Sequence, residues 1–242
     1  SVNIQECLDK GNSTIFFSAT LLPVDYYKSL LSRTKEDYAI YAQSCFDQRK
    51  KQVWIGQDTS TRYTSRGPGQ YRRMAEYIRE AVEAKTGNYL VFFSSYRMLE
   101  DVAECFEAVR PEGARLMCQP GNMSEREREK FLEEFSEDGR ETLVGFCVMG
   151  SFFGEGIDLK RDRLIGVIVV GAGLPQVCNE REILKRYYDS RGMDGFQYAY
   201  LCPGMNKVLQ AAGRVIRTEE DRGIILLLDQ RFTQYQYRRM FP

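Results

Sequence analysis

Short apolar runs alternate with amphipathic stretches along almost the whole chain, and this order limits the available folds more than any other feature. The runs predict β-strands at 14–17, 52–55, 89–93, 115–118, 142–148, 164–170 and 223–228. Strands that are apolar on both faces and separated by helices form a parallel sheet covered on both sides. The sequence therefore predicts a three-layer α/β domain with a parallel sheet, whose ligands bind in the loops that directly follow the strands.

The stretches between these runs carry helical signals. Apolar residues at helical spacing predict helices over 24–32, 69–82, 99–106, 179–190 and 204–217. Ser124, followed three residues later by Glu127, matches a capping box and predicts the start of one more helix. Helices between successive strands are the crossover connections that a parallel sheet needs.

Charge by itself indicates no particular partner. The 242 residues include 34 basic and 34 acidic side chains, so a nucleic-acid surface would have to come from local clustering, such as the basic stretch at 62–73. Histidine is absent. Its absence excludes Ser-His-Asp and Cys-His catalysis and every zinc site that uses histidine.

The sequence shows no sign of export or of a membrane segment. No apolar run approaches the roughly 20 residues that cross a bilayer, and the first residues lack the basic and apolar regions of a signal peptide. The seven cysteines are scattered without a CxxC pair, which favours reduced thiols and no bound metal. The sequence therefore predicts a cytoplasmic protein, in a bacterial cytosol, with no metal site and no membrane partner.

The most specific pattern is QxxGRxxR, formed by Gln210, Gly213, Arg214 and Arg217. In a continuous helix over 204–217 these residues share one face, because they are three or four positions apart. Two guanidinium groups and an amide on one face form a bidentate binder of anionic oxygens. Glycine inside a helix costs roughly 1 kcal/mol relative to alanine, so Gly213 predicts close approach by another group. The alternative is a solvated helix face with ordinary arginines.

A second pattern, GSFFGEGID, follows the predicted strand at 142–148. Its glycines, among them Gly154 and Gly156, permit a tight backbone that can approach a phosphate or a ribose. Asp158 is a candidate acceptor for ribose hydroxyls, and Glu155 is a candidate partner for an arginine or a loop amide. The alternative is an ordinary turn, but the QxxGRxxR pattern further along the chain favours the functional interpretation.

A third pattern is Ser18-Ala19-Thr20, between the predicted strand at 14–17 and the predicted helix at 24–32. Hydroxyl side chains just after a strand lie where parallel sheets bind ligands. Serine and threonine are also preferred N-cap residues, so the same hydroxyls can instead cap the following helix. The local sequence leaves both interpretations open.

Four segments resemble motifs of superfamily 2 helicases. Ser18-Ala19-Thr20 is similar to motif III, YLVFFSSY at 89–96 to motif IV, GSFFGEGID to motif V and QAAGRVIR to motif VI. The stretch 162–232 resembles the C-terminal helicase lobe of the XPD/DinG family, which includes eukaryotic DNA repair helicases and bacterial DinG-like proteins. The resemblance implies a RecA-like second helicase lobe, which is P-loop NTPase-like but has no P-loop.

The resemblance also implies roles in ATP hydrolysis. Arg217 matches the arginine finger that reaches the γ-phosphate across a cleft, Arg214 its companion, and Gln210 the polar group near the γ-phosphate or attacking water. Further positions match nucleotide-binding residues, namely Gly154, Glu155, Gly156, Asp158 and Gly213. Motif V also couples nucleotide to nucleic acid through Glu155 and Asp158. Motif III implies a coupling role for Ser18, Ala19 and Thr20.

For DNA, the resemblance implies that Ser94, Ser95 and Tyr96 belong to the loop that touches the nucleic-acid backbone. Tyr96 can instead be a plain aromatic residue at the start of a helix. Arg66 is close in sequence to the same predicted sheet edge and is a further candidate for phosphate contact. Its alternative is a surface arginine paired with a nearby acid. The implied partner is single-stranded or forked DNA, unwound with 5′→3′ polarity.

Several parts of a complete helicase are missing from this sequence. It contains no GxxxxGK[ST] phosphate loop, no DEAH-like acidic box and no four-cysteine iron–sulfur signature. We therefore expect residues 1–35 to be the tail of the first helicase lobe, including motif III, and residues 36–242 to be the RecA-like C-terminal lobe.

ATP and Mg²⁺ would then be held mainly by the N-terminal helicase lobe of the same protein. An iron–sulfur cluster would also belong to that missing part, with none in this chain. We expect the isolated chain to be inactive, although the resemblance implies that the full-length protein is an ATP-dependent DNA helicase. The alternative function is a non-catalytic nucleic-acid-binding module with a helicase-like fold.

Overall fold

The computed structural model describes residues 2–18, 20–32, 37–137, 140–151, 153 and 159–241. Its centre is a sheet in which every neighbouring pair of strands is parallel. The strands are β1 (Lys51–Ile55), β2 (Asn88–Phe93), β3 (Ala114–Cys118), β4 (Thr142–Val148), β5 (Gly166–Val170) and β6 (Gly223–Leu228). Their order across the sheet is β1-β6-β5-β2-β4-β3. The predicted parallel α/β sheet is confirmed.

Helices cover both faces of this sheet. They are α1 (Val2–Leu8), α2 (Val24–Leu31), α3 (Pro68–Ala84), α4 (Tyr96–Glu107), α5 (Glu125–Glu133), α6 (Asn179–Asp189), α7 (Cys202–Ala212) and α8 (Tyr235–Arg238), with a π-helix (Gln197–Leu201) leading directly into α7. Helices α3 and α4 pack on one face, and α2, α5, α6, α7 and α8 pack on the other. The result is the predicted three-layer arrangement.

The central strand β2 shows why its sequence is apolar throughout. Leu90 and Phe92 point into the cluster that includes α5 and α7, whereas Tyr89, Val91 and Phe93 point into the cluster with α3 and α4. All five residues are buried. Burying one such apolar side chain contributes roughly 1.5–3 kcal/mol. Both faces of β2 therefore stabilise the fold, as expected for a strand inside a parallel sheet.

Local signals at the helix starts act as the sequence predicts. Ser124 Oγ accepts a hydrogen bond from Glu127 N at 3.3 Å, and the Glu127 carboxylate accepts one from Ser124 N at 2.8 Å. This reciprocal pair confirms the capping box of α5. At α3 the first residue is Pro68, whose fixed φ suits the first turn and whose missing N–H has no partner there in any helix.

The predicted strand at 14–17 is wrong. These residues form no strand, and Ile15 and Phe17 are 83% and 90% exposed. A strand is stabilised by hydrogen bonds to a neighbouring strand, and no strand of the described sheet pairs with this segment. The segment is apolar, but its side chains can be buried only where a second surface packs against them, and the described residues supply no such surface at Ile15 and Phe17.

Helix α2 packs against the domain that contains the sheet. The ring of Tyr26 is buried with its centre 5.2 Å from that of Tyr198, and Tyr198 stacks on Tyr188 at 4.2 Å. These aromatic contacts stabilise the position of α2 more than the burial of their apolar surface alone would. Residues of the predicted segment 1–35 thus contact residues of the predicted segment 36–242, and the boundary itself stays a prediction.

The longest described helix, α3, has 17 residues and is amphipathic. Its buried side chains face the sheet, and they are Met74, Ala75, Ile78 and Val82. None of the helices in the described part of the chain is long and apolar enough to cross a membrane. The same residues contain no group of three or more Cys, Asp or Glu side chains suited to hold a metal ion.

A buried ion pair joins the end of β6 to the loop after β1. Asp229 is fully buried and accepts hydrogen bonds from Thr61 N at 2.9 Å and from Thr61 Oγ1 at 2.7 Å. Arg231 donates to the same carboxylate from Nε and Nη2, both at 2.8 Å. Burial alone raises the pKa of Asp229. The hydrogen bonds and the charge of Arg231, together with the hydrogen bond from the Thr61 side chain, outweigh burial and hold that pKa below its ordinary value.

We expect Asp229→Asn to lower the free energy of unfolding by about 3–5 kcal/mol, because it leaves Arg231 as a buried charge without its counterion. Since the folded-state pKa of Asp229 is depressed, its stabilising contribution is present above the ordinary pKa of about 3.9 and is lost as the pH falls through the folded value. Urea unfolding of the chain at neutral and at acidic pH measures both effects.

The matched control for this prediction is Asp47→Asn. Asp47 pairs with Arg49 at 3.0 Å, but this pair is exposed to solvent. Exposed ion pairs contribute little, so the control should unfold nearly as the wild type does. Equal losses of stability in the two variants would contradict the assignment of a stabilising buried pair.

Candidate functional site

Motif IV lies at the carboxyl edge of the sheet, where β2 ends. Ser94 and Ser95 directly follow the last residue of β2, and both are half-buried. Ser95 Oγ accepts from Met98 N at 3.3 Å and so caps α4, while Ser94 Oγ lies 3.8 Å from Met98 Sδ. Capping uses the acceptor side of Ser95 and leaves its hydroxyl proton for another acceptor. The predicted contact of both hydroxyls with DNA stays a prediction.

Tyr96 is the first residue of α4, but it is more than a helix-start aromatic. Its hydroxyl accepts a hydrogen bond from Gln119 Nε2 at 2.9 Å. Gln119, directly after β3, also accepts through Oε1 from Val148 N at 2.9 Å and lies 3.2 Å from Ser151 Oγ. One buried amide therefore joins the carboxyl ends of β2, β3 and β4.

The first residues of motif V contribute to the same edge. Gly150 has a φ of +73°, a conformation that residues with side chains rarely adopt. A Cβ at this position would lie 3.4 Å from Lys207 Nζ, so an amino group of α7 lies against the loop. Four candidate residues of motif V lie outside the described residues, and their role in nucleotide binding stays a prediction: Gly154, Glu155, Gly156 and Asp158.

Arg66 lies in the loop between β1 and α3. Its Nε donates to Thr61 O at 3.1 Å, and its guanidinium lies 6.0 Å from the centre of the Tyr63 ring. Neither contact is a carboxylate, so among the described residues nothing supports the alternative of an arginine paired with an acid. The DNA contact of Arg66 stays a prediction.

Tyr71, in the first turn of α3, is influenced by the charges of two arginines. Burial and the neighbouring Asp101 raise the pKa of Tyr71, whereas the charges of Arg66 and Arg97 oppose that rise. Arg97 directly follows Tyr96 in α4. Arg66 and Arg97 are therefore both near enough to Tyr71 to act on its pKa, although the chain as a whole has no net charge.

The motif VI helix is shorter than predicted. Helix α7 ends at Ala212, so Gly213 closes it and Arg214 and Arg217 lie beyond its end. The prediction that Gln210 shares one helical face with Gly213, Arg214 and Arg217 is therefore wrong. Gln210 lies in the last turn of α7 and is half-buried, as is Arg214, whereas Arg217 is exposed.

The helix ends because the next amide groups find other acceptors. Arg214 N bonds to Ala211 O at 3.2 Å, a contact over three residues that tightens the last turn. Arg217 N donates to Asp221 Oδ2 at 2.7 Å instead of continuing the helix. Within 4 Å, a Cβ on Gly213 would meet only carbonyl oxygens of its own helix among the described residues. No other element among the described residues therefore approaches Gly213 closely, and its predicted contact with a nucleotide stays a prediction.

Asp221 holds the turn that follows α7. Its carboxylate accepts from the backbone N of Arg217 and of Thr218, both at 2.7 Å, and from Arg161 N at 2.9 Å. Burial by itself raises the pKa of Asp221, but these hydrogen bonds outweigh it and hold the pKa below its ordinary value. A charged, buried carboxylate thus fixes the backbone from which the exposed Arg217 side chain extends.

The motif VI arginines lie away from motif IV. Arg161, which Asp221 binds, precedes β5, and Gly223 begins β6, so this turn is at the amino ends of those strands. Motif IV lies at the carboxyl ends. Motif VI belongs to the return connection from α7 to β6 and so lies outside the loops that directly follow strands, and its role in ATP hydrolysis stays a prediction.

Ser18 and Thr20 form a local turn before α2. Thr20 N donates to Ser18 Oγ at 3.2 Å, and the two hydroxyl oxygens are 3.3 Å apart. Pro23 precedes the first residue of α2, and no side chain caps this helix. The interpretation of these hydroxyls as an N-cap is therefore wrong. Ala19 lies outside the described residues, and the coupling role of the three residues stays a prediction.

Comparison with known families identifies the family of this chain. A family model described as the helicase C-terminal domain matches residues 78–242, more than half of the chain. The chain belongs to this family. It is 28% identical over 247 residues to the ATP-dependent DNA helicase YoaA of Escherichia coli (strain K12), covering 96% of this chain and 35% of YoaA. It is 27% identical over 240 residues to the 3′-5′ exonuclease DinG of Staphylococcus haemolyticus (strain JCSC1435), covering 97% and 25%.

Among solved structures, this helicase C-terminal domain is similar to an XPD helicase. The TM-score is 0.74 at 21% sequence identity, and the match covers 98% of this chain and 42% of the XPD chain. The resemblance to XPD/DinG-type helicases and the RecA-like fold are thus confirmed. The chain spans between a quarter and about two-fifths of the length of these three relatives.

Sequence reasoning missed three buried polar residues of this helicase C-terminal domain, Gln119, Asp221 and Asp229. Gln119 and Asp229 could have been predicted as site residues, because each directly follows a predicted strand, where parallel sheets bind ligands. Asp221 could not, since nothing local distinguishes it from the neighbouring acids Glu219 and Glu220.

Proposed function

We propose that the chain is the C-terminal motor lobe of an ATP-dependent DNA helicase. The observation that carries the proposal is the turn after α7, where Asp221 binds the backbone of Arg217 and Thr218 beneath an exposed arginine side chain. Phosphoryl transfer requires neutralisation of charge spread over the transferring group, and a guanidinium supplies it. We therefore assign Arg217 as the arginine finger.

Arg214 and Gln210 supply further donors of the right chemistry. Guanidinium and amide groups donate hydrogen bonds to phosphate oxygens, so this donor set suits the γ-phosphate end of ATP. It includes no phosphate loop and no carboxylate for Mg²⁺. We therefore assign most of ATP and the Mg²⁺ ion to the N-terminal helicase lobe of the same protein. In this chain, the glycines and acids of motif V, together with Gly213, would complete the nucleotide contacts.

Residues 1–35 are proposed to be the tail of that first lobe. The support is the exposed apolar segment that contains Ile15 and Phe17. An apolar segment that pairs with no strand of the described sheet suits a strand completed by the sheet of another lobe. Ser18 and Thr20 would then follow such a strand and couple the two lobes.

DNA is proposed to bind along the carboxyl edge, through Ser94, Ser95, Tyr96 and Arg66. Hydroxyl and guanidinium donors suit phosphate oxygens and carry no information about bases. Binding should therefore be tolerant of sequence and sensitive to salt. The 5′→3′ polarity, a forked substrate and a cytoplasmic location are further parts of the proposal, drawn from the family resemblance.

A non-catalytic nucleic-acid-binding module is the second candidate function. The position of Arg217 argues against it, because a module that only binds DNA needs no exposed arginine on a fixed turn away from its DNA edge. The observation that favours this second candidate is that the sequence contains no phosphate loop.

The full-length protein separates the two candidates. We expect poly-dT to stimulate its ATP hydrolysis, and we expect ATP-driven strand displacement from a duplex with a 5′ tail but not from one with a 3′ tail. Phosphate release and gel-based displacement measure the two activities. DNA binding without any ATP hydrolysis would establish the binding module instead.

Replacing Arg66 with alanine should lower affinity for all single strands about equally. Loss of one phosphate contact should reduce the slope of log K against log salt by about 0.7. Titration of poly-dT and of a mixed sequence at several salt concentrations measures both quantities in the full-length protein.

The matched control is Arg49→Ala, which removes an exposed arginine from the loop before β1, at the amino edge of the sheet. It should leave the salt slope unchanged. An unchanged slope in Arg66→Ala would remove Arg66 from the DNA path, and a loss confined to one sequence would mean that the contact reads bases.

A further inference from the structure

Gln119 is a buried polar residue that the roles proposed above leave without a function. It directly follows β3 and precedes Pro120, and only 4% of it is exposed. Its backbone N donates to Phe146 O at 2.8 Å, as the next residue of a strand would. Pro120 has no N–H with which to continue the backbone hydrogen bonds of the strand. Beyond β3, the side chain of Gln119 makes the next hydrogen bond to β4.

The side-chain amide has a single consistent orientation. The backbone N–H of Val148 can only donate, so the atom 2.9 Å from it is the carbonyl oxygen Oε1 of Gln119. The amide nitrogen Nε2 then faces the Tyr96 hydroxyl oxygen at 2.9 Å and donates to it. The two hydrogen bonds therefore run in one direction, from Val148 through Gln119 to Tyr96.

The direction of these hydrogen bonds determines whether the Tyr96 hydroxyl donates to a ligand or accepts from it. A phenol has one proton to donate and oxygen lone pairs that accept. Because the oxygen accepts from Gln119, the proton of Tyr96 is available for another acceptor, and no acceptor for it lies among the described residues. Tyr96 is half-buried next to Ser94 and Ser95. Ionised phosphate oxygens accept hydrogen bonds and cannot donate them, so they suit this proton.

The same amide connects Tyr96 to the start of motif V. Val148 is the last residue of β4, and Ser151 follows three residues later with its hydroxyl donating to Val148 O at 2.7 Å. Ser151 Oγ is also 3.2 Å from Gln119 Oε1. Tyr96 therefore cannot shift far without disturbing either the Gln119 amide or the residues at which motif V begins.

We propose that Gln119 is a positioning residue for DNA binding, which holds the Tyr96 hydroxyl as a hydrogen-bond donor toward a phosphate oxygen of the strand. The inference rests on the proposed function, because it needs DNA at the carboxyl edge. It goes beyond that function by assigning a role to a residue that does not itself touch DNA. A hydroxyl that accepts one hydrogen bond also donates a stronger one, so Gln119 strengthens the contact as well as aiming it.

A buried amide also stabilises a fold, and the test must separate that role from positioning. Asn88 provides the comparison, since it is equally buried but lies at the amino end of β2. Its Nδ2 donates to Ser136 O at 2.7 Å and is 3.4 Å from Asp162 O. Asn88→Leu therefore removes a buried amide from the opposite edge of the same sheet.

The experiment is a double-mutant cycle in the full-length protein, with affinity for fluorescein-labelled poly-dT measured by anisotropy. Tyr96→Phe and Gln119→Met should each weaken binding about tenfold, in the range for loss of a hydrogen bond to a charged group. The double variant should be no weaker than Tyr96→Phe alone, because Gln119 acts through the Tyr96 hydroxyl. Asn88→Leu should lower the unfolding temperature without changing affinity for DNA.

Gln119→Glu provides a second route if the methionine variant does not fold. A carboxylate still accepts from Val148 N, and at a pH high enough to ionise this buried group it cannot donate to Tyr96 and instead accepts the phenol proton. Binding should therefore remain weak at a salt concentration that screens the added charge.

Several results would overturn the inference. Multiplicative losses in the double variant, or unchanged binding in Tyr96→Phe, would show that Gln119 does not act through this hydroxyl. Wild-type affinity of Gln119→Glu in high salt would reduce Gln119 to a structural amide. Unchanged binding in Tyr96→Phe would also remove the Tyr96 hydroxyl from the proposed DNA contacts. None of these outcomes rejects the proposed motor lobe, whereas failure of the wild-type protein to bind poly-dT would reject the proposed DNA binding itself.

Discussion

Replacing Arg217 with alanine in the full-length protein is expected to reduce ATP turnover by about 10³–10⁵-fold while leaving ATP binding largely intact. A guanidinium in the proposed arginine-finger role stabilises charge that develops only as the phosphoryl group is transferred, so its loss would raise the barrier more than it weakens the ground state. Arg214 lies nearby in sequence and would compensate for part of the loss. Turnover is measured by phosphate release at saturating ATP and poly-dT, and ATP binding by displacement of a fluorescent nucleotide.

Two further variants show whether the effect belongs to this guanidinium. Arg222→Ala removes another exposed arginine a few residues later in the chain and should keep turnover within about twofold of wild type, in the range of an ordinary surface substitution. Arg217→Lys keeps the charge but loses the planar fork, so it should recover only part of the activity. Turnover of Arg217→Ala within about threefold of wild type, far short of the loss expected for a finger, would contradict the assignment of motif VI.

The 242-residue chain by itself is expected to hydrolyse ATP at no measurable rate, with or without poly-dT. Catalysis of phosphoryl transfer depends on positioning the triphosphate and the metal ion. The groups that do so in this class of enzyme, a phosphate loop and an acidic box, do not occur in this sequence. The arginines of motif VI would then lack a positioned phosphate on which to act.

This measurement requires a folded chain and a control for contamination. Far-UV circular dichroism with a cooperative unfolding transition establishes the fold, and the full-length protein is assayed beside it. Activity that persists in the chain carrying Arg217→Ala comes from a contaminating ATPase. DNA-stimulated turnover that disappears with Arg217→Ala would instead show that the chain is a complete motor, which would contradict the expectation of a missing lobe.

The strands and helices of this protein were predictable because they depend on short windows of sequence. Continuous apolar runs predict six strands that the sheet contains, since both faces of a parallel sheet are covered. Ser124 and Glu127 predict the start of α5, since both partners of the capping box lie within one turn. The family resemblance, confirmed by the match of residues 78–242, depends likewise on short motifs in a fixed order.

The end of α7 was not predictable from the same information. Gly213 can end a helix, but the QxxGRxxR spacing fits a helix that continues past it, and the residues that follow have no proline before the β6 strand. The helix ends where Asp221 captures the amide of Arg217, and Asp221 is itself held against Arg161, 60 residues earlier in the chain. The strand predicted at 14–17 failed for a related reason, because pairing requires a neighbour that lies beyond the local window.

Local patterns in the sequence were enough to predict the six strands of the sheet, most of the helices that cover it and the family of the chain. The pairing of buried polar side chains depends on the tertiary structure. Gln119 joins residues 23 positions before it and 29 positions after it, and Asp229 binds Thr61 across 168 positions. Apolar burial tolerates many partners, so composition predicts it, whereas a hydrogen bond depends on distance and direction between two particular groups. Those groups come together only after the crossovers have set the order of the strands.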